Sequence, residues 1–432
     1  MGWWARFRMD LRPLASSADF RKLFASRTVT LLGSEITEVA LLVHVTKLTG
    51  SPLAVGFLGV VEVVPVVVFS LYGGLLADRF DRRVLAVSCE LGLLLTTLGL
   101  VVDASLPHPA LWPLYVGAGL IMALSALQRP SLDAAVPRIV DRDQLAASSA
   151  LLSVGGNVSL IVGPAIAGLL VAGPGAAWAY GIDAVSYLVS LAFLFGLRGL
   201  PTNSATDQEA AVGLRGIAIG LRYAVRRGDL LGSYLVDIAA MLLAYPVALL
   251  PFMAIALHAR QAQGLLFSAS AVGALLASAT SGWTGGVHHH GRAIAIAAAA
   301  WGATIVGFGL APNIGIAVAF LVLSGGADMY SGIFRMTLWN ATIPDEMRGR
   351  LAGLEVLSYG VGPVLGQVRG GALAGVLGVR TTLVSGGVGC VVAAGAICAA
   401  LPRLWHYDQR DDAAEPRREE TEPAGQRPPA QS

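Results

Sequence analysis

Apolar stretches of about 20 residues recur along nearly the whole chain, separated by short polar or basic gaps. Each is long enough to cross a ~30 Å hydrocarbon core as a helix. Helix is the open-chain structure that satisfies its own backbone groups in lipid. The pattern predicts twelve spans, at roughly 25–46, 53–77, 84–103, 111–130, 147–172, 177–197, 231–257, 264–284, 293–311, 314–338, 352–376 and 381–401. The longest internal gap divides them six and six. The expected organisation is a segment 1–24, a six-helix bundle 25–197, a linker 198–230, a second bundle 231–401 and a tail 402–432. Within the linker, Thr202–Ala211 is polar, and Val212–Arg227 sets apolar residues among arginines, as in a helix lying on a membrane surface. The tail is rich in Pro, Glu, Arg and Gln and reads as disordered.

Composition agrees with the pattern. Only 13% of the 432 residues are charged and 55% are hydrophobic, against about 25% charged in a soluble domain. Fifty-two glycines suit helices packed through small residues in lipid. A net charge of +2 points to no nucleic-acid partner. Cys89, Cys390 and Cys398 all lie in apolar stretches and read as small buried hydrophobes. The first 23 residues are polar and basic, so no cleavable signal peptide is expected.

Basic residues set the expected orientation. One set of gaps holds only Lys47, Arg260 and Arg380; the other holds most of the remaining arginines. By the positive-inside rule both termini are cytoplasmic, in an inner (plasma) membrane. A weak repeat supports two similar halves. Val162–Gly168 returns about 207 residues later at Arg369–Gly375, and Pro137 returns at Pro344 with the same offset. Paired six-helix repeats are a feature of transporters.

The stretch Gly74-Leu75-Leu76-Ala77-Asp78-Arg79-Phe80-Asp81-Arg82-Arg83 resembles the signature between helices two and three of the major facilitator superfamily. Pro137–Leu145, Ile182–Leu188 and Ile343–Arg350 are similar to its branch of enterobactin exporters and macrolide efflux proteins. The resemblance implies an all-α membrane protein, two six-helix bundles related by a pseudo-twofold axis. It implies that Gly74, Asp78, Arg79, Asp81, Arg82 and Arg83 form a cytoplasmic gate, with Asp78 near the start of span eleven. A carboxylate at a helix N-terminus is favourable by roughly 0.3–1 kcal/mol. Span four lacks the mid-helix arginine of many drug–proton antiporters, and the glycine pattern of span five persists only as Gly163-Pro164 and Gly168.

Ionisable residues inside spans cost at least ~2.5–3.5 kcal/mol at a helix centre unless paired or wet. Glu35 and Glu38 share one face of span one, the span that lines the central pathway in the resembled family. With Asp237, Asp328 and Arg335 they are candidates for a proton and substrate cavity. Glu90, Asp183 and Glu355, nearer span ends, read as structural pairs within one half. Glu62 and Arg369 lie in spans two and eleven, which pack together in that fold, and are candidates for an outer gate. Gly163-Pro164, Pro246 and Gly362-Pro363 are expected to mark bends. His288-His289-His290 reads as a solvated polar turn rather than a metal site. No metal or cofactor is expected, with a proton gradient as the energy source and a monomer in the bilayer. The leading function is export of a small amphipathic compound (siderophore, antibiotic or other drug-like metabolite) by alternating access. The alternatives are a lipid or lysophospholipid flippase, an importer, an integral membrane transferase and a non-transporting sensor.

Overall fold

The computed structural model describes residues 10–79, 82–133, 135–197, 222–343 and 345–408, with side chains described there except at 67, 70–79, 82 and 345–360. Among the described residues no strand occurs. The first half contains α1 (Ala18–Thr49), α2 (Pro52–Arg79), α3 (Arg82–Ser105), α4 (Trp112–Asp133), α5 (Leu145–Ala172) and α6 (Ala176–Phe195). The second contains α7a (Gly228–Ala244), α7b (Leu250–Ala256), α8 (Gln263–Ala279), α9 (His290–Leu310), α10 (Ile314–Thr342), α11 (Asp345–Leu377) and α12 (Val379–Ala400). A short α13 (Pro402–His406) follows. By length and composition, nine stretches of the described residues can cross a membrane: α1, α3, α5, α6, α7a with α7b, α8, α9, α10 and α12.

Local chemistry sets the helix ends. Ser17 caps α1 by accepting from the Phe20 backbone N–H at 3.1 Å, which satisfies one of the donors a helix start leaves open. Gly50 ends α1 in the left-handed region at φ 60°, where a side chain would be strained. Asn313 caps α10 through the Ile316 N–H at 3.0 Å. Lys22 and Arg83 donate to the Gly196 and Phe195 carbonyls at the end of α6, each at 2.5 Å. Cations at a helix C-terminus meet both the open carbonyls and the dipole.

The packing repeats between the halves. α1 packs on α5 and α6, α2 on α4, and α3 on α4 and α6. α7a packs on α11 and α12, α8 on α10, and α9 on α10 and α12. Adding six to each helix number converts the first set into the second. Two main pairs join the halves, α2 with α11 and α5 with α8. One buried cluster centred on Ile36, Leu58, Leu93 and Tyr180 fills the first half, and another on Leu250, Met253, Trp301 and Phe308 fills the second. Each half has a further cluster toward its basic end: Phe20, Leu23, Val136 and Leu194 in one, Tyr234, Phe334, Trp339 and Leu404 in the other.

The expected break at Pro246 occurs. α7a stops at Ala244, a 3-10 turn covers Val247–Leu249, and Pro251 sits in the first turn of α7b. The helices instead run continuously through Pro164 and Pro363. Of the expected interfacial helix, residues 222–226 are helical; its earlier part and the tail beyond Asp408 lie outside the described residues.

Candidate functional site

The two pairs that join the halves meet backbone to backbone at one end of the molecule, the end bearing Lys47, Arg260 and Arg380. A Cβ on Gly56 of α2 would lie 2.7 Å from the Gln367 carbonyl oxygen and 3.2 Å from the Gly371 Cα of α11. A Cβ on Gly264 of α8 would lie 2.6 Å from the Pro164 oxygen and 2.9 Å from the Gly168 Cα of α5. Small residues are what allow helix backbones to approach this closely. Ser268 adds a hydrogen bond from its hydroxyl to the Ile161 carbonyl at 2.7 Å. Both seams are therefore closed at that end.

Four carboxylates stand near the middles of their helices. Glu35 and Glu38 project from α1, Glu62 from α2 and Asp328 from α10. Glu38 is exposed although it stands near the middle of α1 between buried Thr37 and Val39. Glu38 lies within electrostatic reach of Glu35 and Glu62, and the charges of all four carboxylates act on the Tyr245 hydroxyl. A cavity of about 510 Å³ opens beside Asp328, walled by Met329, Ile333, Arg335, Met336 and Asn340 of α10. Among the described residues none of the four carboxylates takes part in an ion pair or a hydrogen bond.

The other two candidates for this cavity are engaged with each other. Arg335 of α10 pairs with Asp237 of α7a, and both are almost fully buried, at 2% and 4% exposure. Beside them the Trp339 indole N–H donates to the Ser233 hydroxyl at 3.0 Å, and Trp339 stacks on Tyr234. The pair joins two helices of the same half.

Glu62 and Arg369 do not meet. The Arg369 guanidinium donates to the Leu242 and Leu243 carbonyls of α7a, just before the break at Pro246, and lies against Gly386 of α12. It faces its own half. Gln367, two residues earlier, is the α11 side chain that meets α2: its Oε1 would lie 3.3 Å from a Cβ on Gly59, one turn from Glu62. That oxygen is buried and has no partner.

Among the described residues Glu90 and Asp183 are structural acceptors and take part in no ion pair. Glu90 accepts from the Thr30 hydroxyl of α1 at 2.7 Å and from the Gln128 amide of α4. Asp183 accepts from the Thr37 hydroxyl of α1 at 2.6 Å and from Ser186 at 3.0 Å. Gly33 leaves the room for this approach, since a Cβ there would collide with Asp183 and Ser186.

Of the gate signature, only the Arg83 side chain is described, and it caps α6. Beyond their backbone, Gly74, Asp78, Arg79, Arg82 and Glu355 are not described, and Asp81 lies wholly outside the described residues. The histidine tract is less solvated than expected. His290 is buried between the rings of Phe334 and Tyr407, and His289 Nδ1 lies 3.8 Å from Asp408. Tyr245, Gln367, Gly56 and Gly264 were not singled out by sequence, whereas Gly168 and Gly371 entered through the repeat. The only sequence signal for Tyr245 and Gln367 is a polar group in an apolar span.

With this geometry in place, comparison with known proteins gives the lineage. The family of transmembrane secretion effectors matches residues 9–424. The enterobactin exporter EntS of Citrobacter koseri is 28% identical over 415 residues, covering 93% of this chain and 96% of the relative. EntS of Escherichia coli K12 is 27% identical with the same coverage. In fold, a mutant of the nucleoside transporter NupG aligns with a TM-score of 0.73 at 14% identity, covering 88% of this chain and 98% of that one. A bacterial homologue of the human lysosomal transporter Spinster, in an inward-facing and unoccupied conformation, aligns at 0.70 and 15% identity, covering 91% and 97%. These relatives are transporters, not enzymes. The chain belongs to the transmembrane secretion effector family of major facilitator transporters.

Proposed function

We propose that the protein exports a small amphipathic organic compound by alternating access between two six-helix bundles, residues 25–197 and 231–401. All of α1–α12 cross the membrane in this reading, with both termini inside and a pseudo-twofold axis between the bundles; the six-helix shift in the packing supports it. The observation that carries the reading is the sealing of the two halves at their sparsely basic end by the Gly56–Gly371 and Gly168–Gly264 contacts, with carboxylates near the middles of the helices beyond it. That is the expected form of an inward-open state, with substrate entering from the cytoplasm or inner leaflet. Rocking the bundles would part those seams and expose the space between the halves outside. The export direction is supported by the two relatives that carry enterobactin outward.

A proton is the proposed coupling ion and Glu35 and Glu38 its carriers. A proton drives the cycle only if it binds one state better than the other, and a carboxylate whose surroundings change between hollow and seal meets that condition. Flux into sealed vesicles, with and without a pH gradient, tests the reading. Gradient-driven transport is expected in the wild type and absent in Glu38→Gln of unchanged fold. Full transport by the Glu35→Gln, Glu38→Gln double variant would remove α1 from coupling.

A second reading, a lipid or lysophospholipid flippase, is favoured by an apolar groove of about 620 Å³ between α8, α9 and α10, lined by Leu276, Ile296 and Leu323 among others. Movement of a headgroup-labelled lysophospholipid, and of no organic solute, in those vesicles would select it.

A further inference from the structure

We infer that the central site takes a hydrophobic cation, a compound joining a protonated amine to an apolar body. The inference rests on the export reading and names the substrate class of the same site.

Charge is the first argument. Glu35, Glu38, Glu62 and Asp328 lie within electrostatic reach of the Tyr245 hydroxyl, with no cationic partner among the described residues. Two guanidiniums of the same helical layer are engaged elsewhere: Arg335 with Asp237, and Arg369 with the Leu242 and Leu243 carbonyls. A ligand that brings positive charge relieves repulsion among the carboxylates, while an anionic catecholate adds to it.

The second argument is independent of the carboxylates. Gln367 is 92% buried, at 8% exposure, and its Oε1 has no hydrogen-bond partner. It lies against the turn of α2 that precedes Glu62. A buried acceptor without a donor costs free energy, and this one stands beside the acidic face at the same depth. Among the described residues Gln367 Oε1 is thus an acceptor left open beside the carboxylates. An ammonium carrying N–H groups supplies the donor.

The walls set the rest of the ligand. Met329, Ile333 and Met336 line the cavity beside Asp328, and Tyr245 presents an aromatic ring from the break in α7. Thioether side chains adapt to irregular apolar shapes, and a ring face attracts a cation. A bare metal ion would find no use for these surfaces; an amphipathic amine uses all of them.

Two probes of one shape and opposite charge test the inference on purified full-length protein: tetraphenylphosphonium and tetraphenylborate. The expected result is saturable binding of the phosphonium and not of the borate, weakened roughly tenfold or more by Asp328→Asn and by Glu38→Gln. Variants are compared only after size-exclusion and melting profiles match the wild type. If one of them fails to fold, the other and the wild-type charge preference still decide. Binding of tetraphenylborate or enterobactin without the phosphonium overturns the charge class yet leaves export standing. Phosphonium binding that neither substitution weakens also overturns it. Phosphonium binding with no flux of any solute across sealed vesicles keeps the charge class and overturns export.

Discussion

A single methyl group at the α5–α8 seam should shift the protein between its two states. In Gly264→Ala the new Cβ would lie 2.6 Å from the Pro164 oxygen, 2.9 Å from the Gly168 Cα and 3.0 Å from the Ala165 oxygen. All three neighbours are backbone atoms, so no rotamer change relieves the contact. Ordinary contact begins at 3.4 Å, so the helices must part by roughly 0.8 Å, the difference between 3.4 and 2.6. Overpacking of this kind costs typically about 1–3 kcal/mol. In an outward-open state the seam is already parted and the cost vanishes. The substitution therefore favours that state by about 1–3 kcal/mol, a factor of roughly 5–150 in population. Ser268→Cys, one turn deeper on α8, provides the readout through a membrane-impermeant maleimide added outside. Native Cys89 and Cys390 are buried and Cys398 is partly so, and the background is set by the chain without the new cysteine. Labelling should accelerate in Gly264→Ala and not in Gly181→Ala, where a Cβ meets nothing within 4 Å. An unchanged labelling rate in a folded Gly264→Ala would refute the seam as an outer gate.

Three further outcomes follow from the buried contacts. Arg335→Met or Asp237→Asn alone should destabilise by about 3–5 kcal/mol, because each strands a buried charge or its partner; the Asp237→Leu, Arg335→Met double variant should recover most of the melting temperature in detergent. If it recovers stability but not flux, the pair belongs to transport as well as to packing. Leu404, 0% exposed and wedged between Gly232 and Gly291, anchors the segment after α12; Leu404→Ala should cost about 2–5 kcal/mol, read as a lower melting temperature. Thr37→Val removes one of the two hydroxyls that serve Asp183 and should cost about 1–3 kcal/mol, with thermal unfolding as the measure and no loss expected from Thr304→Val at the second-half helix α9.

Which parts of this arrangement were legible in the chain depends on depth and azimuth. Hydropathy sets depth: an apolar run of about 20 residues places its own ends in the headgroups, so the helix positions were readable, as the proline made the break at Pro246 readable. The start of α1 at Ala18 was not, because Asp19, Arg21 and Lys22 interrupt the apolar run while the helix continues over the buried Phe20 and Leu23. Pairing across long separations was also hidden. Asp237 and Arg335 each stood out as a charge in lipid, yet nothing in either span names the other.

Azimuth is the harder quantity, and α11 shows why. Glu62 and Arg369 were read to the same depth on helices that do pack together, and they still miss. At 3.6 residues per turn, positions two apart point to nearly opposite sides of a helix. Gln367 therefore faces α2 because Arg369 faces α7a and α12. Which of the two meets Glu62 depends on the rotation of α11 about its axis. That rotation is set where Gly371 admits Pro52 and Gly56, and where Gly366 and Gly370 admit Tyr245. The glycines were visible in sequence as a count; their partners were not. The consequence is chemical as well as geometric. Had α11 been turned by about half a revolution, the hollow would have gained a guanidinium and lost an acceptor, and its preference would have moved toward anions. The rotation of α11 thus decides which of its polar groups, Gln367 or Arg369, meets α2.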